Sequence, residues 1–342
     1  MKAIQLTGIR RLEVAEVAKP VADKNTALIK VSACGICGSD LKYWKLGSGL
    51  GGLPNIIMGH EMMGVIEDPG GYQGLTTADR VTAIPINSCD ECAPCKKGLL
   101  NLCVNNTKRP QMGQTGQGAY AEYIAVRADM VRRLPDSIDE LSAAMIEPAA
   151  VALHAVKEAG VQRGDRVMVV GGGTIGLLCA AWARIYGASY VVITEANKNR
   201  GDLAREIADA DQVLEAGDPK LNSKIKKATE GGADVVIETS AADAGIHSAL
   251  LAVRPKGTVA LLGISFKPQS LATLVAVVKE IAIKPVYAYL PGDFDLVIDA
   301  MRRGVLKVNR FVSRTVGLHE VQAAFENLSS GTSAEVKIVV RM

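Results

Sequence analysis

The spacing of apolar residues changes character near residue 164, and the change separates two kinds of sequence. Over residues 1–123, short runs with β-type alternation (AIQLTG, ALIKVSA, GVIED, RVTAIP, YAEYIAV) are broken by Gly and Pro. They predict a compact, largely antiparallel β domain. Residues 141–154 form an apolar helical stretch interrupted by Glu147 and Pro148. After residue 164, DRVMVVGGGTIGLLCAAWARIYGA reads as a buried strand, a glycine turn and an apolar helix, and YVVIT as a second strand ending at Glu195. Helix at 202–209, strand at 235–238, helix at 244–253 and strand at 258–262 continue the alternation, with a further helix and strand through 288. Repeated strand and helix predict an α/β doubly wound parallel sheet covered on both faces. A last helix, FDLVIDAMRRG, and a closing strand, EVKIVVR, are expected to return to the first domain.

Length and charge narrow the possible partners. A chain of 342 residues can hold two domains. With 39 Lys+Arg against 36 Asp+Glu, the net charge is +3 and no long run of one sign occurs. That speaks against nucleic acid or an anionic membrane and for small molecules. The opening MKAIQLTGIRRLEV alternates like an edge strand, not like a signal peptide, and no apolar run reaches spanning length, so the cytoplasm is expected. Of seven cysteines, four crowd into 89–103, which suits metal binding in a reducing compartment.

The candidate chemistry begins at CGICGSDLKY, residues 34–43, read as one short turn carrying thiol, hydroxyl and phenol. Gly59-His60-Glu61 then supplies an imidazole and a carboxylate. Thiolate, neutral imidazole and carboxylate oxygen are the ligand types of a catalytic zinc that keeps one position open. Cys37 is taken as the ligand in preference to Cys34, because Ser39 would then stand where a substrate oxygen arrives. Glu147, amid Met145, Ile146 and Ala149, needs a partner, either the metal or its water, unless it caps the following helix. His154 reads as a packing residue, and the glycine-rich 46–54 segment as a surface loop near the metal.

Cys89, Cys92, Cys95 and Cys103 have the spacing C-x2-C-x2-C-x7-C, which closes a structural zinc with no open position. The bacterial iron-sulfur run would continue with a nearer cysteine followed by proline. Gly171, Gly173, Thr174, Ile175 and Gly176 form the dinucleotide fingerprint between a strand and a helix. Glu195, nineteen residues after Gly176, is placed to accept from the ribose hydroxyls and favours NAD over NADP. Arg200 could stack on adenine or support NADP. Gly263, Ile264 and Tyr287, with Tyr289, lie at the ends of late strands as candidates to line the nicotinamide and substrate.

Together CGICGSD, GHE, the four clustered cysteines, YAEY at 120–123, IEP at 146–148 and GGGTIG resemble the zinc-containing medium-chain alcohol dehydrogenase family over essentially the whole chain. The resemblance implies a GroES-like catalytic domain (1–147), a Rossmann NAD-binding domain (148–287) and a segment returning to the first (288–342). Within the family the chain is most similar to the polyol and threonine dehydrogenase branch, where a Glu replaces a Cys ligand. That likeness implies Glu61 or Glu147 as the third ligand and a Ser39 proton relay through Tyr43, with two zincs per chain and a homodimer or homotetramer. The implied substrate is a polyol, sugar alcohol or aminocyclitol. A sugar phosphate or threonine is the alternative, and a non-catalytic nucleotide-binding zinc protein a more distant one. Two departures from the family pattern, Ala78 in G-D-R-V and Gln117-Gly118-Ala119 in D-G-G, touch the scaffold more than the chemistry.

Overall fold

The computed structural model describes every residue except Gly51, so part of the expected 46–54 loop lies outside the described residues. The chain folds into two compact units. Unit 1 comprises Met1–Glu147, Leu290–Ser330 and Lys337–Met342, and unit 2 comprises Pro148–Tyr289 and Gly331–Val336. Within the C-terminal stretch 288–342, therefore, residues 331–336 cluster with unit 2 and the flanking segments with unit 1.

Unit 1 opens with β1 (Lys2–Gly8), β2 (Arg11–Glu16), β3 (Thr26–Gly35), α1 (Gly38–Leu46), β4 (Ile56–Ile57), β5 (Glu61–Asp68) and β6 (Arg80–Ala83). The short α2 (Ala93–Lys96), β7 (Tyr123–Arg127), β8 (Val131–Arg133) and α3 (Glu140–Ala143) follow, and α4 (Ile146–Ala159) crosses into unit 2. Pro148 is tolerated in α4 because the first turn has no amide to lose. The main sheet is centred on β3, which pairs antiparallel with β5 and β7. Its apolar positions pack with Trp44, Tyr120 and Phe325 in one core.

One correction concerns residues 34–43, expected as a turn. Cys34 and Gly35 end β3, and α1 begins immediately after Cys37. Asp40 accepts from the Cys37 amide at 3.0 Å, and Gly47, at φ 76, stops the helix by donating to Tyr43 O. Without a long apolar stripe, the segment gave no helical period to read.

Unit 2 contains β9 (Arg166–Val170), α5 (Thr174–Ile185), β10 (Tyr190–Glu195), α6 (Lys198–Ile207), β11 (Gln212–Glu215) and α7 (Leu221–Ala228). Next come β12 (Ala233–Glu238), α8 (Asp243–Ala252), β13 (Val253–Leu261), α9 (Thr273–Val278) and β14 (Ala282–Pro285). All six strands are parallel, in the order β11-β10-β9-β12-β13-β14. This is the doubly wound dinucleotide-binding order, with the reversal between β9 and β12. Strand β11 and helix α7 escaped the sequence reading, because QVLE is a short edge strand and LNSKIKKA is rich in lysine. Helix α6 starts earlier than expected because the Asn197 side chain accepts from Arg200 N and caps it.

The chain ends with α10 (Pro291–Arg302), β15 (Val312–Gly317), α11 (Val321–Ser329) and β16 (Lys337–Arg341). Strand β16 lies between β15 and β3. Among the described residues, no helix is long and apolar enough to cross a membrane.

Candidate active site

The register of three strands assembles the metal-ligand candidates. Gly35, at the end of β3, pairs with Glu61 on β5 and with Val339 on β16. A methyl group on Gly35 would overlap Oε2 of Glu61, so glycine is required for the carboxylate to sit there. Cys37, His60 and Glu61 bring their ligand atoms within 4.8 Å of one another. His60 Nδ1 faces Asp40 Oδ1 at 3.6 Å, leaving Nε2 for a cation. Asp40 is fully buried, and its Oδ2 accepts from Tyr120 OH at 2.7 Å and from the Cys37 amide at 3.0 Å. The carboxylate is thereby fixed behind the imidazole. On the other flank, Lys337 Nζ donates to Glu61 Oε2 at 2.5 Å and to Ile36 O at 2.9 Å.

Several acidic groups surround two buried basic ones in this site. Burial works against protonation of His60, yet Asp40, Cys37 and Glu147 together raise its pKa well above the usual imidazole range. Burial likewise opposes the charge on Lys337, but Glu61, Cys37 and Glu147 raise its pKa. Burial pushes Asp40 up, partly offset by His60, Tyr120 and the Cys37 amide. Glu147 is buried and close enough for its charge to act on both His60 and Lys337. Ser39 Oγ is buried and has no hydrogen-bond partner among the described residues. A buried hydroxyl without a protein partner, two residues after Cys37, fits a site whose remaining partner is a ligand.

The four-cysteine lobe is a closed cluster. Cys92 and Cys95 sulfurs are 3.3 Å apart, Cys89 and Cys103 3.5 Å, and Cys92 and Cys103 4.0 Å. A tetrahedron with zinc–sulfur bonds of about 2.3 Å has edges of roughly 3.8 Å. Amides of Glu91 and Cys92 donate to Cys89, holding its thiol down at about 6, and those of Cys95 and Val104 donate to Cys92, whose pKa is also lowered. Arg127 donates to Ser88 O (2.8 Å) and Asp90 (2.9 Å), and Arg109 to Asn87 O (2.9 Å), fixing the chain that enters the lobe. A cavity of about 470 Å³ lies elsewhere in unit 1, lined by Ile57, Ile84, Met112 and Ile124 among others, and holds none of these ligand candidates.

In unit 2, Gly171 adopts φ 106, and a methyl on Gly176 would overlap Gly171 O. This close packing sets the glycine loop against the N-terminus of α5, the arrangement that receives a diphosphate in dinucleotide-binding folds. Glu195, at the end of β10, accepts from Gly172 N and Asn197 N, both at 2.7 Å. Arg200 Nη1 stands 3.7 Å from Glu195 Oε2. Gly263 packs against Ala241 and Glu238, while Ile264 and Tyr287 are about half exposed and Tyr289 is buried.

Comparison with known proteins matches residues 23–136 to the alcohol dehydrogenase GroES-like domain and residues 174–303 to the zinc-binding dehydrogenase domain. D-xylulose reductase A of Aspergillus niger is 32% identical over 344 residues, covering 97% of this chain and 95% of its own. The chain belongs to the zinc-containing medium-chain alcohol dehydrogenase family. As a family member it is an oxidoreductase of the alcohol dehydrogenase class. Among solved structures, (2R,3R)-butanediol dehydrogenase from Bacillus subtilis is 26% identical with a TM-score of 0.86, covering 100% of this chain and 99% of that one. A Sinorhizobium meliloti 1021 protein bound to NADP is 28% identical, with a TM-score of 0.88 and the same coverage.

Three residues that brace the candidate metal ligands escaped the sequence reading. Asp40 was legible only as part of a turn, and Tyr120 only as part of YAEY. Lys337 carries a faint signal, a lysine at the start of a run of buried strand residues. Their partners lie 80 residues away for Tyr120 and 276 for Lys337, so no local pattern joins them. His154 is buried in α4.

Proposed function

We propose that this chain is a zinc-dependent dehydrogenase of polyols, sugar alcohols or related hydroxylated small molecules, with NAD as oxidant. The convergence of Cys37, His60 and Glu61, with the orphaned Ser39 hydroxyl two residues after Cys37, carries the reading. Similarity to a D-xylulose reductase and to a butanediol dehydrogenase supports a substrate with several hydroxyls. Cys37, His60 and either Glu61 or Glu147 would hold a catalytic zinc, and the four lobe cysteines a structural one, making two per chain. When bound, zinc polarises the substrate hydroxyl and favours its ionised form, while the nicotinamide accepts the hydride.

The chain's own residues do the rest. Asp40, braced by Tyr120, holds His60 in one orientation. Ser39 Oγ accepts the hydroxyl proton of the substrate and passes it towards Tyr43 and solvent. Gly171–Gly176 and the N-terminus of α5 take the diphosphate. Glu195 takes the adenosine ribose, and its charge repels a 2′-phosphate. Arg200 lies 3.7 Å from that same carboxylate, where its guanidinium can stack on adenine or accept a 2′-phosphate. Exposed Leu274, Val277 and Val278 on α9, next to the edge strand β14, support a homo-oligomer. The small net charge and the clustered cysteines support a cytoplasmic enzyme acting on small molecules.

The test is NAD reduction by zinc-quantified protein against polyols, aminocyclitols, sugar phosphates, threonine and simple alcohols, with NADP in parallel. Turnover concentrated on one polyhydroxylated class with NAD supports the reading. Turnover confined to simple alcohols, or faster with NADP, contradicts it.

A further inference from the structure

Residues 331–336 run from the end of α11 to the start of β16, forming neither helix nor strand. They belong to unit 2, whereas both flanking elements belong to unit 1. Side chains of the dinucleotide-binding loops hold the strap by its carbonyls. Asn197 Nδ2 donates to Gly331 O (2.8 Å) and Ser333 O (3.0 Å), and Asn199 Nδ2 to Thr332 O (3.0 Å). Thr174 Oγ1 donates to Val336 O at 2.7 Å. Thr174 is the first residue of α5, and Asn197 follows Glu195 by two, so the ties come from both loops of the nucleotide site.

The next residue is Lys337, whose ammonium holds Ile36 O, one residue before Cys37, and Glu61 Oε2. One peptide bond thus separates a carbonyl tied to the phosphate loop from an ammonium tied to the metal cluster. At the start of β16, Lys337 pairs with Val312 next to a register shift between Val312 and Arg314, and the ladder to β3 begins at Val339.

We infer that Lys337 is a positioning residue for the metal cluster, and that the strap makes its hold on Glu61 respond to nucleotide occupancy. The inference rests on the zinc dehydrogenase reading above. A phosphate at the N-terminus of α5 offers Thr174 Oγ1 a charged acceptor in place of Val336 O. The tie beside Lys337 is then released, and the balance of Glu61 between its ammonium partner and the cluster's cation shifts. Differential contact in two states is what coupling between separate sites requires.

The experiment uses Co²⁺ and NADH on the full chain. Cobalt affinity is measured by chelator competition, and its visible bands are recorded, with and without NADH. The Cys37 cluster is isolated as the difference from Cys37→Ser. In the native chain NADH changes cobalt affinity by about fivefold or more and moves the bands. Inserting two glycines between Ser333 and Ala334, combined with Asn199→Ala, reduces the change to less than about twofold while NADH fluorescence still reports binding. Lys337→Met abolishes the change, and Lys337→Arg restores part of it. An undiminished change in the slackened chain, or none in the native chain that binds both probes, overturns the inference. Cobalt uptake independent of Cys37, or no NADH binding, overturns the dehydrogenase reading itself and the inference with it.

Discussion

The ammonium of Lys337 lies 2.5 Å from Oε2 of Glu61, and both side chains are at most 2% exposed. Such a pair is costly to form in a low-dielectric interior and more costly to break, because the survivor is left as an unpaired buried charge.

For zinc-free protein, Lys337→Met is therefore expected to lower unfolding free energy by about 3–5 kcal/mol in urea. Adding Glu61→Gln removes the orphaned charge and recovers much of the loss. Two strictly additive losses would show that the pair is not coupled in the folded state.

Ser39 is predicted to matter for turnover and little for folding. Its hydroxyl is buried without a partner, so Ser39→Ala breaks no native hydrogen bond among the described residues. The expected loss in kcat is about 10²–10⁴-fold, the usual worth of a positioned proton acceptor, with the melting temperature unchanged. A fall in stability with kcat retained would assign Ser39 to the scaffold.

Gly176→Ala tests the nucleotide loop. The added methyl meets the backbone carbonyl of Gly171, which cannot swing away as a side chain would. Overpacking of this kind costs about 1–3 kcal/mol. Zinc content should stay the same while the NADH dissociation constant rises about tenfold or more. Unchanged NADH affinity would mean that the nucleotide does not use this loop.

The lobe cysteines should differ in reactivity once zinc is stripped. Amides, led by that of Glu91, hold Cys89 down at about 6, whereas burial pushes Cys95 up to about 12. The nucleophile is the thiolate. Iodoacetamide labelling followed by peptide mass spectrometry should modify Cys89 first at pH 7. Its rate should fall as pH drops through about 6. Equal labelling of the two would contradict the asymmetry.

Short-range patterns made much of this legible in advance. The four lobe cysteines, the glycine fingerprint and its acid lie within single loops or one βαβ unit, so spacing alone brings them together. The strand–helix alternation likewise announced the doubly wound sheet. What stayed hidden depends on register between distant strands. Gly35 opposite Glu61, and Lys337 arriving on β16, become neighbours only when residues near 35, 61 and 337 pair in one sheet. Helix α1 escaped because its identity rests on an Asp40 cap and a Gly47 stop, not on an apolar stripe. The mooring of residues 331–336 was hidden for a related reason: side-chain amides tie down carbonyls, and carbonyls have no sequence signature.

The central claim is that Cys37, His60 and a carboxylate hold a catalytic zinc distinct from that of the four-cysteine lobe. Zinc per chain, measured by mass spectrometry of elements on purified native protein and on Cys37→Ser, tests it most directly. Two zincs are predicted to fall to one, with alcohol-dependent NAD reduction lost and the fold kept. Two zincs retained in Cys37→Ser, or one zinc in the native chain, would contradict it.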